Sequence, residues 1–382
     1  MVHFRPHKRI ARYCPRSAGL SVPGDLYNDF LGIAYDTGAR IHTNSWGTDV
    51  NAYTTTSRDM DRYAYDHQDF LILVAAGNSG SAGFYTIGSP ATAKNILSVG
   101  ASMTNAFGLA DDTSGPFCGS VGSCTSYFVD MAANLASFSS LGPTFDERMK
   151  PDIVAPGFYV SSAYSSSNPS QQTCAVEAKA GTSMATPVTA GSAALVRQYF
   201  VDFEGIIPMA ALIRAAIIHS ATPLSDPDWT RNFGNDYIQL NGYPDTNQGY
   251  GLVSLQNVLT FEDSPFDMRY FGACSGDCEE DDFEDMPNVD QDDVFEETFN
   301  MATNGGYPLI VTLVWHEPAS SSYVSGTALI NDLDLTVEAA DGTVFLPISP
   351  NYDTGAPTTG VNRLDTAEKV LIPAGSIEWG TE

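Results

Sequence analysis

Ser183 stands in Gly181-Thr182-Ser183-Met184-Ala185-Thr186-Pro187, ahead of the small, apolar run from Val188 to Tyr199. A polar residue after a glycine, then an alanine-rich run with proline in its first turn, reads as a helix entered from a tight loop. Ser183 then falls at the helix mouth, where unpaired N–H groups and the positive end of the macrodipole converge. Negative charge developing on an attacked carbonyl oxygen is favoured at such a place. Serine alone is a weak nucleophile, so the chemistry also needs a base and donors for the oxyanion. Asn78 is the candidate donor: it follows the apolar run Phe70 to Ala76 and Gly77, where backbone can approach a substrate. The plainer readings are an N-cap for Ser183 and a turn for Asn78-Ser79-Gly80. A cap, however, dictates neither the Gly-Thr before Ser183 nor the Met-Ala-Thr-Pro after it.

The elements that must carry these residues follow from the pattern. Phe70 to Asn78 is a continuous apolar strand of the kind buried on both faces, and Asn95 to Ala101 is another; both suit a parallel sheet. A short strand runs from Ala39 into Asn44-Ser45-Trp46-Gly47. Leu26, Phe30, Ile33 and Ala34 recur at helical spacing, with Gly38 placed to end that helix, while residues 57–68 read as an exposed helix. Pro208 opens a helix from Met209 to Ser220 that is apolar nearly all round and therefore buried. Strand–helix–strand alternation argues α/β.

The composition then shifts. Asp277 to Glu297 holds twelve acidic residues and no basic one, which cannot pack as a core. Beyond it, Tyr307 to Trp315 and Ala328 to Val337 show a period of two, with Asp341-Gly342 as a turn before Thr343, so a β-sandwich is expected. The division is 1–21 as an irregular lead-in, 22–264 as the α/β domain, 265–297 as an acidic connector and 298–382 as the β-sandwich.

With 382 residues and 43% hydrophobic content the chain can bury a sizeable core. Its 46 acidic against 18 basic residues give a net charge of −28, which disfavours nucleic acid and anionic membranes as partners. No run approaches a membrane span, and no signal peptide is visible at the start. Cys118/Cys124 and Cys274/Cys278 bracket short loops in a way that suits disulfides better than zinc, which leans extracellular. A chain that has lost its true N-terminus reconciles the two signs.

Three blocks, Asn44-Ser45-Trp46-Gly47, Ala75-Ala76-Gly77-Asn78 and Gly181 to Pro187, stand in the order of the subtilisin-like serine proteases (subtilases), which this chain resembles. Phe138 to Pro143 and Lys150 to Gly157 are also similar to that family. The stretch Leu329-Ile330-Asn331-Asp332-Leu333-Asp334-Leu335 looks like the branch with a C-terminal jelly-roll. The resemblance implies a mostly parallel subtilisin-like α/β sheet with flanking helices and polypeptide substrates for a secreted, monomeric endopeptidase. It makes Ser183 the acylating nucleophile and Asn78 an oxyanion donor. Ser45, Trp46, Gly47, Ala75, Ala76 and Gly77 would flank the pocket for the residue before the scissile bond. No cofactor is needed for the chemistry. Asn331, Asp332 and Asp334, read on and beside a strand, are candidate ligands for a structural Ca2+.

The chain departs from the family at the other two triad members. None of its six histidines lies in a His-Gly-Thr-His segment upstream of Ser45. Asp36-Thr37-Gly38 spells the aspartate motif but ends a helix, and only eight residues separate Asp36 from Ser45. It is read as a decoy. The second such triplet, Asp353-Thr354-Gly355, does not follow an apolar strand and gives no aspartic-protease pair. The expectation is a subtilase cut in its N-terminal third and inactive alone; the alternative is a pseudo-protease that grips extended peptide.

Overall fold

The computed structural model describes residues 22–104, 134–164, 176–224, 230–233, 236–239, 243–275, 289–299, 307–323, 326–350 and 358–376. The lead-in 1–21, Cys118 and Cys124, most of the acidic run and the triplet at Asp353 lie outside these residues. Within them, β1 (Ile41–Asn44), β2 (Leu71–Ala75), β3 (Leu97–Ser102) and β4 (Ile153–Pro156) form a parallel sheet in that order. Register runs from Asn44 opposite Val74 to Ala75 opposite Val99 and Val99 opposite Ile153.

Both faces of the sheet are covered, as the unbroken apolar runs require. Leu71, Leu73, Leu97 and Val99 share one core with α3 (Thr182–Gln198) and α4 (Ala210–Ser220), through Ala185, Val196, Ile213 and Ile217. Ile72 and Val74 point the other way, onto Leu31 of α1 (residues 27–36) and Met60, Tyr63 and Ala64 of α2 (Thr55–Asp66). The period of two in β2 is thus what separates the nucleophile helix from α1 and α2.

Two helices differ from the sequence reading. The first half of α1, Tyr27–Gly32, is wound as a π-helix before Ile33–Asp36 continues as α-helix. The wider turn shifts the inward stripe, so Leu31 is buried while Ile33 is exposed. Helix α2 is not exposed all round. Its Asp61 is buried and accepts hydrogen bonds from Tyr53 Oη and from the backbone N–H groups of Lys94 and Asn95, fixing the entry to β3.

Strands Leu309–Val314 and Ala367–Ile372 pair antiparallel, and the first packs on α4. Their join to the α/β layer is polar as well as apolar. Lys94 and Glu317 form a fully buried ion pair. Thr366 Oγ1 donates to Lys94 O and accepts from Arg214. Lys369 Nζ donates to the carbonyls of Ile218 and His219, where α4 has run out of its own donors. The turn at Asp341-Gly342 joins Val337–Glu338 to Val344–Phe345, as the sequence predicts.

Residues 328–336 are not a strand. The N–H groups of Ile330 and Asn331 go to the Glu317 carboxylate and that of Leu335 to Glu368, so acidic side chains take the donors a sheet neighbour would have used. Asp332 and Asp334 therefore do not share a strand face, and Asp332 pairs with Arg363 at 2.6 Å. Among the described residues no group of three His, Cys, Asp or Glu side chains is placed to hold a metal ion.

Candidate active site

Ser183 lies in the first turn of α3, half-buried, one residue after Thr182. The turn into the helix needs Gly181, whose φ of 153° is a region side chains avoid, and whose N–H donates to Gly157 O at 2.8 Å. That bond docks the mouth of α3 on the end of β4. Pro187 lies inside the helix, past its first turn, and lacks the N–H that would bond Ser183 O; that carbonyl accepts from Ser45 Oγ instead.

Asn78 follows β2 on an exposed turn and reaches across to this mouth. Its Oδ1 accepts from Thr182 N–H at 2.9 Å and from Thr182 Oγ1 at 3.0 Å. The Thr182 hydroxyl in turn accepts from Gly77 N–H at 3.3 Å, so its own proton is directed to Asn78. Two donors converging on one amide atom make it the oxygen, which leaves Nδ2–H beside the nucleophile turn as a donor with no partner among the described residues. A Cβ at Gly181 would stand 3.7 Å from Nδ2, which locates that amide at the turn.

The turn bearing Asn78 is clamped from below by the 138–143 segment. Ser140 N–H donates to Gly77 O, Ser79 N–H to Ser140 Oγ, and Gly80 N–H to Phe138 O. Gly77 has φ 118°, and a Cβ there would lie 2.6 Å from Ser140 Oγ, so only glycine fits. Thr182 and Ser140 are positioning residues that the sequence reading passed over. The signal was present, since both sit inside quoted blocks, but nothing in a single sequence says which hydroxyl meets which turn.

The segments 45–47 and 75–77 both border this place. Ser45 Oγ donates to Ser183 O at 2.9 Å, tying the end of β1 to the nucleophile turn. Trp46 is half-buried, with its ring against Phe30 and Nε1–H donating to Asn44 Oδ1. Ala75 and Ala76 are buried, and Gly47 is exposed.

Among the described residues no hydrogen bond ends on Ser183 Oγ, and each described histidine is committed elsewhere. His42 sits on the α1 side of β1, beside Phe30 and Phe70 and bonded to Asn44 Nδ2. Burial lowers its pKa to about 4. His67 stacks on Tyr63, His219 contacts Thr312, and His316 is half-buried, with desolvation pushing its pKa down to about 3. Asp36 is exposed at the end of α1, apart from any catalytic arrangement.

The subtilase family pattern matches residues 16–235, more than half of the chain. The chain is 30% identical to the serine protease/ABC transporter B family protein tagD of Dictyostelium discoideum, over 83% of this chain and 22% of that protein. It is 36% identical to the serine protease AprX of Bacillus subtilis over 35% of this chain and 27% of that one. It is 32% identical to subtilisin DY of Bacillus licheniformis over 41% of each. The prenylagaramide maturation protease PagA aligns over 64% of this chain and 69% of its own, with 20% identity and a TM-score of 0.43. The chain spans about a quarter of the length of the Dictyostelium relatives it matches. On its sequence blocks, its parallel sheet and the family pattern together, the chain belongs to the subtilase family of serine proteases.

Proposed function

We propose that this chain carries the nucleophile and oxyanion donors of a secreted serine endopeptidase, with Ser183 as the group acylated by a peptide carbonyl. The observation that carries this reading is the orientation of Asn78: Thr182 holds its Oδ1 through two hydrogen bonds, turning Nδ2–H outward at the mouth of α3. In the reaction Ser183 Oγ bonds to the carbonyl carbon and gives its proton to a base. The electron pair moves to the carbonyl oxygen, which accepts from Asn78 Nδ2–H and Ser183 N–H. Collapse releases the amine with that proton, and water then cleaves the ester.

The base would come from the histidine and aspartate segments that this sequence lacks, and without them Ser183 stays a protonated alcohol. Polypeptide is the substrate class, laid in extended form past the segments 45–47 and 75–77. Secretion suits the disulfide at Cys274.

Labelling with a fluorophosphonate tests this. The chain as given is expected to label no faster than its Ser183→Ala variant. Co-expression with the upstream coding region should give fast labelling that Ser183→Ala abolishes and Asn78→Ala slows. An upstream region without either triad segment, and no labelling with it, would favour a peptide-gripping pseudo-protease.

A further inference from the structure

We propose that Asp49 selects substrates with lysine or arginine before the scissile bond; this deepens, and rests on, the reading of Ser183 and Asn78 given above.

The hydrogen-bonded ladder between β1 and β2 stops at Asn44 opposite Val74. Past that point the two chains no longer pair with each other. Thr48 N–H donates to Ser89 O at 2.8 Å, and Gly88 N–H donates to Ala76 O at 3.1 Å. Each chain is thus tied to the turn at 88–89 rather than to its neighbour, which leaves a crevice walled by 45–47 on one side and Gly77 on the other, with Ala75 and Ala76 buried behind it. It opens at the carboxyl ends of parallel strands, where open α/β sheets bind ligands.

Beyond the walls the two chains meet once more, side chain to side chain: Ser79 Oγ donates to Asp49 Oδ1 at 2.9 Å. Ser79 is the residue after Asn78, so this carboxylate closes the crevice next to the oxyanion donor. Asp49 is exposed, and among the described residues no cation pairs with it. Oδ1 is engaged by Ser79, while Oδ2 is left to a ligand. The walls themselves are small residues, and the one large ring, Trp46, is spent on Phe30 and Asn44. A long aliphatic stem with a cationic head matches this arrangement, the stem lying along Ser45, Gly47 and Gly77 and the head at Asp49. The net charge of −28 draws the same class of substrate from a distance.

The test uses the chain as it is and needs no turnover. N-acetylated tetrapeptides ending in arginine, leucine or glutamate, with a free carboxylate to sit at the oxyanion donors, are titrated by calorimetry. The arginine peptide should bind about tenfold tighter than the leucine peptide, worth about 1.4 kcal/mol, and the glutamate peptide should bind weakest. Asp49→Asn should remove the arginine advantage and leave the leucine peptide within about twofold, Asp49→Glu should keep most of it, and Asn78→Ala should weaken all three peptides alike. Equal binding of arginine and leucine peptides, or an advantage that survives Asp49→Asn, overturns the role of Asp49. If Asn78→Ala still weakens binding in that case, the reading of the nucleophile cradle stands. If no peptide binds, or Asn78→Ala changes nothing, both fall together.

Discussion

Thr182 is the residue on which the orientation of Asn78 turns. Its hydroxyl stands between Gly77 N–H and Asn78 Oδ1, and its own N–H makes the second bond to that oxygen. Replacing it by valine keeps size and branching but removes a donor and an acceptor at once. Gly77 N–H then loses its partner and the amide is free to rotate. Thr182→Val is expected to slow fluorophosphonate labelling of the complete protease by about tenfold, which is about 1.4 kcal/mol, with Thr182→Ser close to wild type. A Thr182→Val rate equal to wild type would assign the orientation of Asn78 to the backbone alone.

At the scale of elements, α4 ends on a borrowed cap. Lys369 Nζ donates to Ile218 O and His219 O at 3.1 Å each and to Tyr243 Oη at 2.7 Å, while Tyr243 Oη–H donates to Ala221 O. Lys369→Met fills the same space and leaves His219 O without its donor and Ile218 O with only the Ala221 N–H, at a cost of about 2 kcal/mol. Chemical denaturation should read that loss, and hydrogen exchange should locate it in the last turn of α4; unchanged protection there would count against the cap.

Sequence patterning made the buried strands legible because continuous apolar runs have few alternatives to a doubly covered sheet. It made α3 legible because glycine, proline and the small residues around Ser183 each constrain backbone. It misplaced Ile33 because π-winding leaves no trace in apolar spacing. It misread 328–336 as a strand because the N–H groups of Ile330, Asn331 and Leu335 are taken by Glu317 and Glu368, partners 13 to 33 residues away. The exposed-helix reading of 57–68 misses the burial of Asp61 for the same reason: its partners, Tyr53 Oη and two N–H groups before β3, are assembled only by the fold.

At the scale of the whole molecule, buried charge knits the C-terminal strands to the sheet. Asp365 accepts from Met149 N–H and from Asn362 Nδ2, and burial raises its pKa to about 6 despite those bonds and the nearby Arg148 and Lys150. The folded state therefore holds this proton where the unfolded chain, with an ordinary carboxyl at 3.8, has released it. Stability from this group is complete below about pH 4 and falls as the pH rises toward 6. Subtracting the pH–stability curve of Asp365→Asn from that of wild type isolates the effect from His316, whose lowered pKa acts in the opposite sense. The difference should decline by a few kcal/mol between pH 4 and 6, and a flat difference would refute the assignment.

The hold that Lys369 keeps on α4 also sets an order of events during synthesis. Residues 71–75 and 153–156 leave the ribosome some two to three hundred residues before position 369, yet the layer that packs on them is finished only when that lysine arrives. The serine helix and its oxyanion loop are thus translated long before the strand that secures their supporting layer. The support that Lys369 gives to that layer is therefore the last of these pieces to be made, well after the helix it steadies.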